Sequence, residues 1–170
     1  MNFTELMNAR YSVRKFSDKA IEPEKLEKIL QAGRMAPTAK NLHPEKIYVL
    51  RSEEAMEKAR ALTRCVYGAS TVLLVCYDEE RAWHSDSRVG YISGEMDASI
   101  VTTHMMLQAA ELGIGSCWVG LFNDKEVSAA FNLPANIKPV ALMPMGYADC
   151  GPNENLHLCP RPEEETIAYL

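Results

Sequence analysis

A mixed α and β domain, with helices interleaved between strands, is the fold class this sequence predicts, and three observations carry it. First, the chain has 170 residues; at about 150 residues per domain that implies one domain, long enough to bury roughly 70% of its unfolded surface. Second, its longest apolar runs, TVLLVCY and KPVALMPMG, are too short to span a bilayer and have the form of buried strands. Third, the segments between them carry apolar residues at helical spacing behind recognisable caps. A composition of 47% hydrophobic and 24% charged residues excludes collagen-like, coiled-coil and wholly disordered chains.

The elements follow in order. Asn2 with Glu5 forms a capping-box pattern ahead of a short helix whose Phe3, Leu6 and Met7 share a face. From Arg10 to Lys19 the helical period is lost and Arg10, Arg14, Lys15 and Lys19 appear, which reads as a basic loop. Pro23 opens a second helix with Leu26, Ile29 and Leu30 as its stripe, and Ala36-Pro37 ends it. After the polar loop TAKNLHP come a strand over Lys46 to Arg51, a helix over Glu53 to Leu62 and a central strand over Thr71 to Tyr77. Residues Asp78 to Ser93 show no period and are the candidate lid over a site. Met96, Ile100, Met106, Leu107, Ala110 and Ile114 then mark a long helix with burial on most sides. Gly113 and Gly115 close it, SCWVGLF reads as a strand ending near Gly120, and Asn123 with Glu126 caps a helix that Pro134 stops. Lys138 to Tyr147 is the last core strand. The remainder, 148–170, is poor in apolar surface and is expected to lie on something else, a partner subunit being one candidate.

Charge and cysteine usage narrow the function. Eighteen basic against 23 acidic residues give a net charge of −5, so no nucleic acid partner held by phosphate contacts is expected, and any basic site is local. The N-terminus lacks the apolar core of a signal peptide, so a cytoplasmic protein is expected, with no membrane span. Cys65, Cys76, Cys117, Cys150 and Cys159 form no CxxC pair, and the four histidines form no HxxxH pattern. Neither a disulfide framework nor a metal site is expected.

Three constellations could carry chemistry. Arg10, Ser12 and Arg14 alternate, so an extended backbone would turn two guanidinium forks and a hydroxyl toward one anion, such as a phosphate. In MAPTAKNLHP, Pro37 and Pro44 fix a loop in which Thr38, Asn41 and His43 offer donors and acceptors to a planar polar ring. In ELGIGSCWVGLF the glycines allow close backbone approach and leave amide donors free at a strand end, although the dinucleotide fingerprint is absent. Taken singly, each is equally the pattern of an ordinary cationic turn, a helix termination or a helix-to-strand turn. His104 and Cys117 read as core residues.

Together and in this order, RYSVRKF, APTAKNLHP, LGIGSCWVGLF, PVALMPMGY and the final RP resemble the FMN-dependent nitroreductase family over nearly the whole chain. The resemblance implies an α+β fold with an antiparallel-rich mixed central sheet wrapped by helices, in an intertwined homodimer whose C-terminal segment is exchanged. It implies FMN as cofactor, with Arg10, Tyr11, Ser12 and Arg14 cradling the phosphate and pyrimidine ends and Arg161 completing the phosphate clamp. Pro37, Thr38 and Asn41 would reach the same ring from the neighbouring subunit, and Val119 and Gly120 would pass close to it with a backbone amide facing N5. Two-electron reduction leaves negative charge near N1 and O2, which a fixed guanidinium such as Arg14 stabilises. Arg14 and Gly120 are therefore the expected catalytic groups.

The implied activity is ping-pong hydride exchange from NADH or NADPH to a small-molecule electron acceptor, a nitroaromatic, quinone or related conjugated compound. A flavin store or redox sensor without nicotinamide turnover is the alternative, and relatives that dehalogenate, oxidise or fragment flavin rank third. His43 stands where the family usually has glutamine, and Cys159 where some relatives add a lysine to the clamp. The chain is short, so only the Asp78 to Ser93 segment is available as a cover, with Trp83, His84 and Tyr91 as candidate acceptor contacts beside His43.

Overall fold

The computed structural model describes residues 2–155, 157–158 and 160–170. Four strands form one antiparallel sheet: β1 (Glu45–Leu50), β2 (Thr71–Asp78), β3 (Gly115–Ser116) and β4 (Ile137–Gly146), in the spatial order β1-β2-β4-β3. Around it lie α1 (Phe3–Ala9), α2 (Pro23–Arg34), α3 (Glu53–Leu62), α4 (Gly94–Glu111), α5 (Asp124–Ala130) and α6 (Glu163–Thr166), with single 3-10 turns at Ala39–Asn41 and Arg64–Val66. This is the expected α+β arrangement, and β2 is an inner strand.

The sheet is covered on both faces, and β2 shows how. Val72, Leu74 and Cys76 enter a core shared with Met56, Ala59 and Val127 of α3 and α5. Leu73, Val75 and Tyr77 enter a second core with Ile29 of α2 and Val101 and Met105 of α4. Successive strand residues point to opposite faces, so a strand packed on both sides must be apolar throughout. The Cys76 thiol illustrates the dryness: burial pushes its pKa up to about 12.

Several sequence expectations need correction. The capping box at Asn2 and Glu5 is present, yet α1 buries no residue, and Phe3 and Met7 are 62% and 43% exposed. SCWVGLF is not a continuous strand: it pairs with β4 at Gly115–Ser116 and again only at Val119, which exchanges two hydrogen bonds with Leu142. Pro144 is the reason. The Cys117 N–H donates to the Pro144 carbonyl at 3.2 Å, and proline has no N–H to return.

The helix α4 is not covered on most sides. Its buried residues are Gly94, Asp97, Ala98, Val101, Thr102, Met105 and Ala109. Most are small, which lets the helix lie close to α2 and the sheet. Met96 is 54% exposed, and Ile100, Met106 and Leu107 are half-buried, so an apolar face is left open.

The start of the 148–170 segment is held by its own chain. Phe16 bridges Ala148, the Asp149 N–H donates to the Lys15 carbonyl at 2.9 Å, and Lys15 pairs with Asp149 at 2.6 Å. Farther on, Ile167, Tyr169 and Leu170 are exposed. No helix among the described residues is long and apolar enough to cross a membrane.

Candidate functional site

The basic loop is an extended run laid beside β3. Beyond the C-cap Arg10 (φ −69°, ψ 131°), Ser12 forms a parallel bridge with Ser116, and the Val13 N–H donates to the Ser116 carbonyl at 3.0 Å. Gly113, at φ +73°, turns the chain out of α4 in the left-handed conformation that glycine adopts readily. Gly115 then permits the close approach, since a Cβ there would lie 2.6 Å from Val13 Cγ2.

The extended backbone brings Arg10, Ser12 and Arg14 around one pocket of about 140 Å³, with Tyr11 and the tail residues Asn153, His157 and Leu158 completing its wall. An adjoining cavity of about 160 Å³ shares Arg10 and Tyr11 and is lined further by Ala110, Ile114, Gly113, Gly115 and Ser116. Tyr11 is pinned by donating to the Cys150 carbonyl at 2.7 Å and by an edge contact with His157, whose Nε2 bonds the Asn8 carbonyl at 2.9 Å.

Among the described residues, neither Arg10 nor Arg14 has a carboxylate within ion-pair distance. A pocket holding these two guanidinium groups, joined through Arg10 and Tyr11 to an apolar, glycine-edged cavity, suits a phosphate ester that carries a flat ring, as FMN does. Cys117 lies beneath them. Burial raises its thiol pKa, while Arg14 and a hydrogen bond from Ser12 act in the opposite direction, so it stays a neutral floor residue.

The polar loop forms a second cluster. Thr38 Oγ1 accepts from the His43 N–H at 3.0 Å, and His43 Nε2 bonds Asn41 Oδ1 at 2.9 Å. The other ring nitrogen of His43 faces Glu45 Oε1 at 3.4 Å. Lys40, Asn41 and His43 all have positive φ, near 50°, 56° and 47°, an arrangement that persists only when the surroundings hold it. The segment 78–93 folds onto itself beside this loop rather than over the basic pocket. His84 bridges Ile92, Trp83 meets Tyr91 edge-on at 5.9 Å, and Lys40 Nζ lies 5.6 Å from the Trp83 ring.

The remaining candidates are dispersed. Val119 is buried, whereas Gly120 is exposed and its N–H has no hydrogen-bond partner among the described residues. Arg161 is 71% exposed, reaches Glu165 at 4.0 Å and does not line the basic pocket. Cys159 lies outside the described residues.

Sequence reasoning missed Asp97, Ser93, Ser116 and the tail residues Asn153 and His157. Asp97 had a readable signal: a carboxylate four residues after a serine, on the buried side of an otherwise apolar helix. The two clusters sit at opposite ends of α4, because Asp97 accepts from Ala39 of the polar loop at one end while Ala110 lines the cavity beside Arg10 at the other. At 1.5 Å per residue that is about 20 Å along the axis.

Comparison with known proteins agrees with the geometry. The profile of the Nitroreductase family matches residues 7–66 and 62–147, and the chain belongs to that family. It is 33% identical over 150 residues to a protein of Archaeoglobus fulgidus that bears the name NADH dehydrogenase/NAD(P)H nitroreductase, covering 84% of this chain and 83% of that one. A nitroreductase family protein of Clostridium difficile 630 superposes with a TM-score of 0.93 at 38% identity, over 99% of this chain and 98% of the other. An FMN-dependent nitroreductase of Clostridium difficile R20291 gives a TM-score of 0.79 at 25% identity, over 98% of each chain.

Two outcomes test this geometry. Gly115→Val is expected to push the basic loop off β3, lowering stability by about 1–3 kcal/mol in urea unfolding; an unchanged midpoint would mean that the close approach is not tight. Iodoacetamide at pH 8 is expected to label Cys150 in the native protein and to spare Cys76 and Cys117, read by peptide mass spectrometry. Equal labelling of Cys117 and Cys150 would contradict a buried neutral thiol beneath the arginines.

Proposed function

We propose that this chain is an FMN-dependent NAD(P)H oxidoreductase that passes two electrons to nitroaromatic, quinone or related conjugated acceptors. On this reading residues 1–170 act as one FMN-binding domain that works as a homodimer in the cytoplasm. The observation that carries the reading is the pair of guanidinium groups, Arg10 and Arg14, that share one pocket with no carboxylate at ion-pair distance among the described residues, Arg10 also lining the adjoining apolar cavity edged by glycine backbone. The names of the relatives point the same way. When bound, FMN supplies two-electron exchange in two half-reactions, with NADH or NADPH as donor and the conjugated compound as acceptor.

This chain's residues supply the rest. Arg10 and Ser12 hold the phosphate, and Tyr11 walls the site. Arg161 joins them by leaving its exposed contact with Glu165, which is weak at 4.0 Å on the surface. Arg14 keeps a fixed positive charge beside the ring system, favouring the electron-rich form and raising the potential. The Gly120 N–H has no acceptor among the described residues, and Val119 holds that backbone on β4.

Pro37, Thr38 and Asn41 cannot serve the Arg10 site of their own chain if the two clusters stand at opposite ends of α4. A second copy, related by a two-fold axis with α4 packed antiparallel on α4, brings the polar loop of one chain to the basic loop of the other. The open face of Met96, Ile100 and Leu107 supports that contact, as do the exposed Ile167, Tyr169 and Leu170 for an exchanged C-terminal segment. His43, Trp83, His84 and Tyr91 then flank the acceptor, presenting aromatic edges to a planar compound.

The purified chain is expected to be yellow and to bleach under nitrogen with NADH or NADPH. Bleaching by neither would leave a flavin store or sensor in place of an oxidoreductase, and failure to take up added FMN would overturn the cofactor. Arg10→Ala is expected to weaken FMN about 10- to 100-fold, measured by fluorescence titration; wild-type affinity would remove Arg10 from the phosphate. Ile100→Glu is expected to shift the sedimentation of the wild-type dimer to that of a monomer, and a dimeric variant would place the interface elsewhere.

A further inference from the structure

The oxidoreductase reading leaves a buried carboxylate without a task. Asp97, in the first turn of α4, is 2% exposed, and Ser93 before it is 1% exposed. A carboxylate withdrawn from water needs hydrogen bonds to compensate the lost hydration, and here they come from two different segments. Asp97 Oδ1 accepts from the Ala39 N–H of the polar loop at 2.8 Å, and Oδ2 accepts from the Ser93 hydroxyl at 2.7 Å. Ser93 Oγ in turn accepts from the Trp83 N–H at 3.1 Å, while the Ser93 N–H donates to the Trp83 carbonyl at 2.9 Å.

We propose that Asp97 is a positioning residue that latches the polar loop and the 78–93 segment together. Its first bond holds the backbone at Ala39, just before the left-handed Lys40 and Asn41; the second fixes Ser93 and, through it, Trp83 and Tyr91. The inference rests on the reading that Thr38 and Asn41 face the flavin ring. It adds that cofactor grip and acceptor recognition share one buried carboxylate and part at Ser93: loss of Asp97 loosens both, loss of the serine hydroxyl loosens only the acceptor wall.

The latch has a readout that needs no bound cofactor. Amide exchange followed by NMR in the full chain as purified is expected to speed up about tenfold or more at both Ala39 and Trp83 in Asp97→Ala, and at Trp83 alone in Ser93→Ala. With FMN added, Asp97→Ala is expected to bind it about tenfold more weakly, and Asp97→Asn, which retains an oxygen for the Ala39 N–H, to recover most of that loss. Ser93→Ala is expected to keep FMN affinity within about twofold while raising the KM for menadione several-fold at constant kcat. An unaltered Ala39 amide in Asp97→Ala, equal FMN weakening in Ser93→Ala, or an unchanged menadione KM would overturn the proposal. If Asp97→Ala does not fold, Ser93→Ala and Asp97→Asn decide. A wild-type chain that binds no FMN, with both exchange effects still present in the variants, would sink the oxidoreductase reading and leave the latch standing.

Discussion

The packing of α4 against α2 and the sheet is the constraint on which the rest of the molecule depends. Gly94, Ala98, Val101, Thr102 and Ala109 give it a narrow side that seats closely, and Met105 fills the space between that side and Gly33 of α2. Once the helix is fixed, so is the separation of the segments at its ends. The polar loop is tied to its first turn and the basic loop lies beside its last, so neither can drift toward the other without unpacking the core. On the proposed reading, a rigid helix with one bare apolar side keeps two half-sites apart at its ends, and the bare side is the surface on which a two-fold copy would complete them.

Legibility in the sequence followed the range of the interaction. The capping box at Asn2 and the alternation of Arg10, Ser12 and Arg14 depend on neighbours within a few residues and on the backbone period, and both are present in the fold. The apolar run of β2 was equally readable, because a strand with two buried faces has no polar alternation to hide it. The break in SCWVGLF was not readable from that segment, since its cause is Pro144 on the facing strand. The links of Asp97 to other segments were hidden for the same reason: Ala39, which it binds directly, and Trp83, which it reaches through Ser93, are brought to it only by the completed fold.

The burial of α4 was overestimated on different grounds. A helix with little charge can be sheltered by its own chain or by another, and hydrophobic pattern does not distinguish the two. The candidate site shows a similar limit. Arg10 and Arg14 could be read as anion ligands, but the wall opposite them, Asn153 and His157, joins the pocket across more than 130 residues of chain. Net charge was misleading only if taken globally: at −5 the molecule is acidic, yet among the described residues no carboxylate lies at ion-pair distance from these two cations, a local asymmetry of the kind that favours an anion.

The meeting of residues 10–14 with residues 153–158 has a consequence for how the molecule is made. During translation residues 10–14 emerge well before residues 153–158, so the wall around the arginines cannot close until that later stretch has left the ribosome. A fragment ended by premature termination shortly before residue 153 would keep β1 to β4 and α1 to α5 yet lack the Asn153, His157 and Leu158 side of the pocket around Arg10 and Arg14.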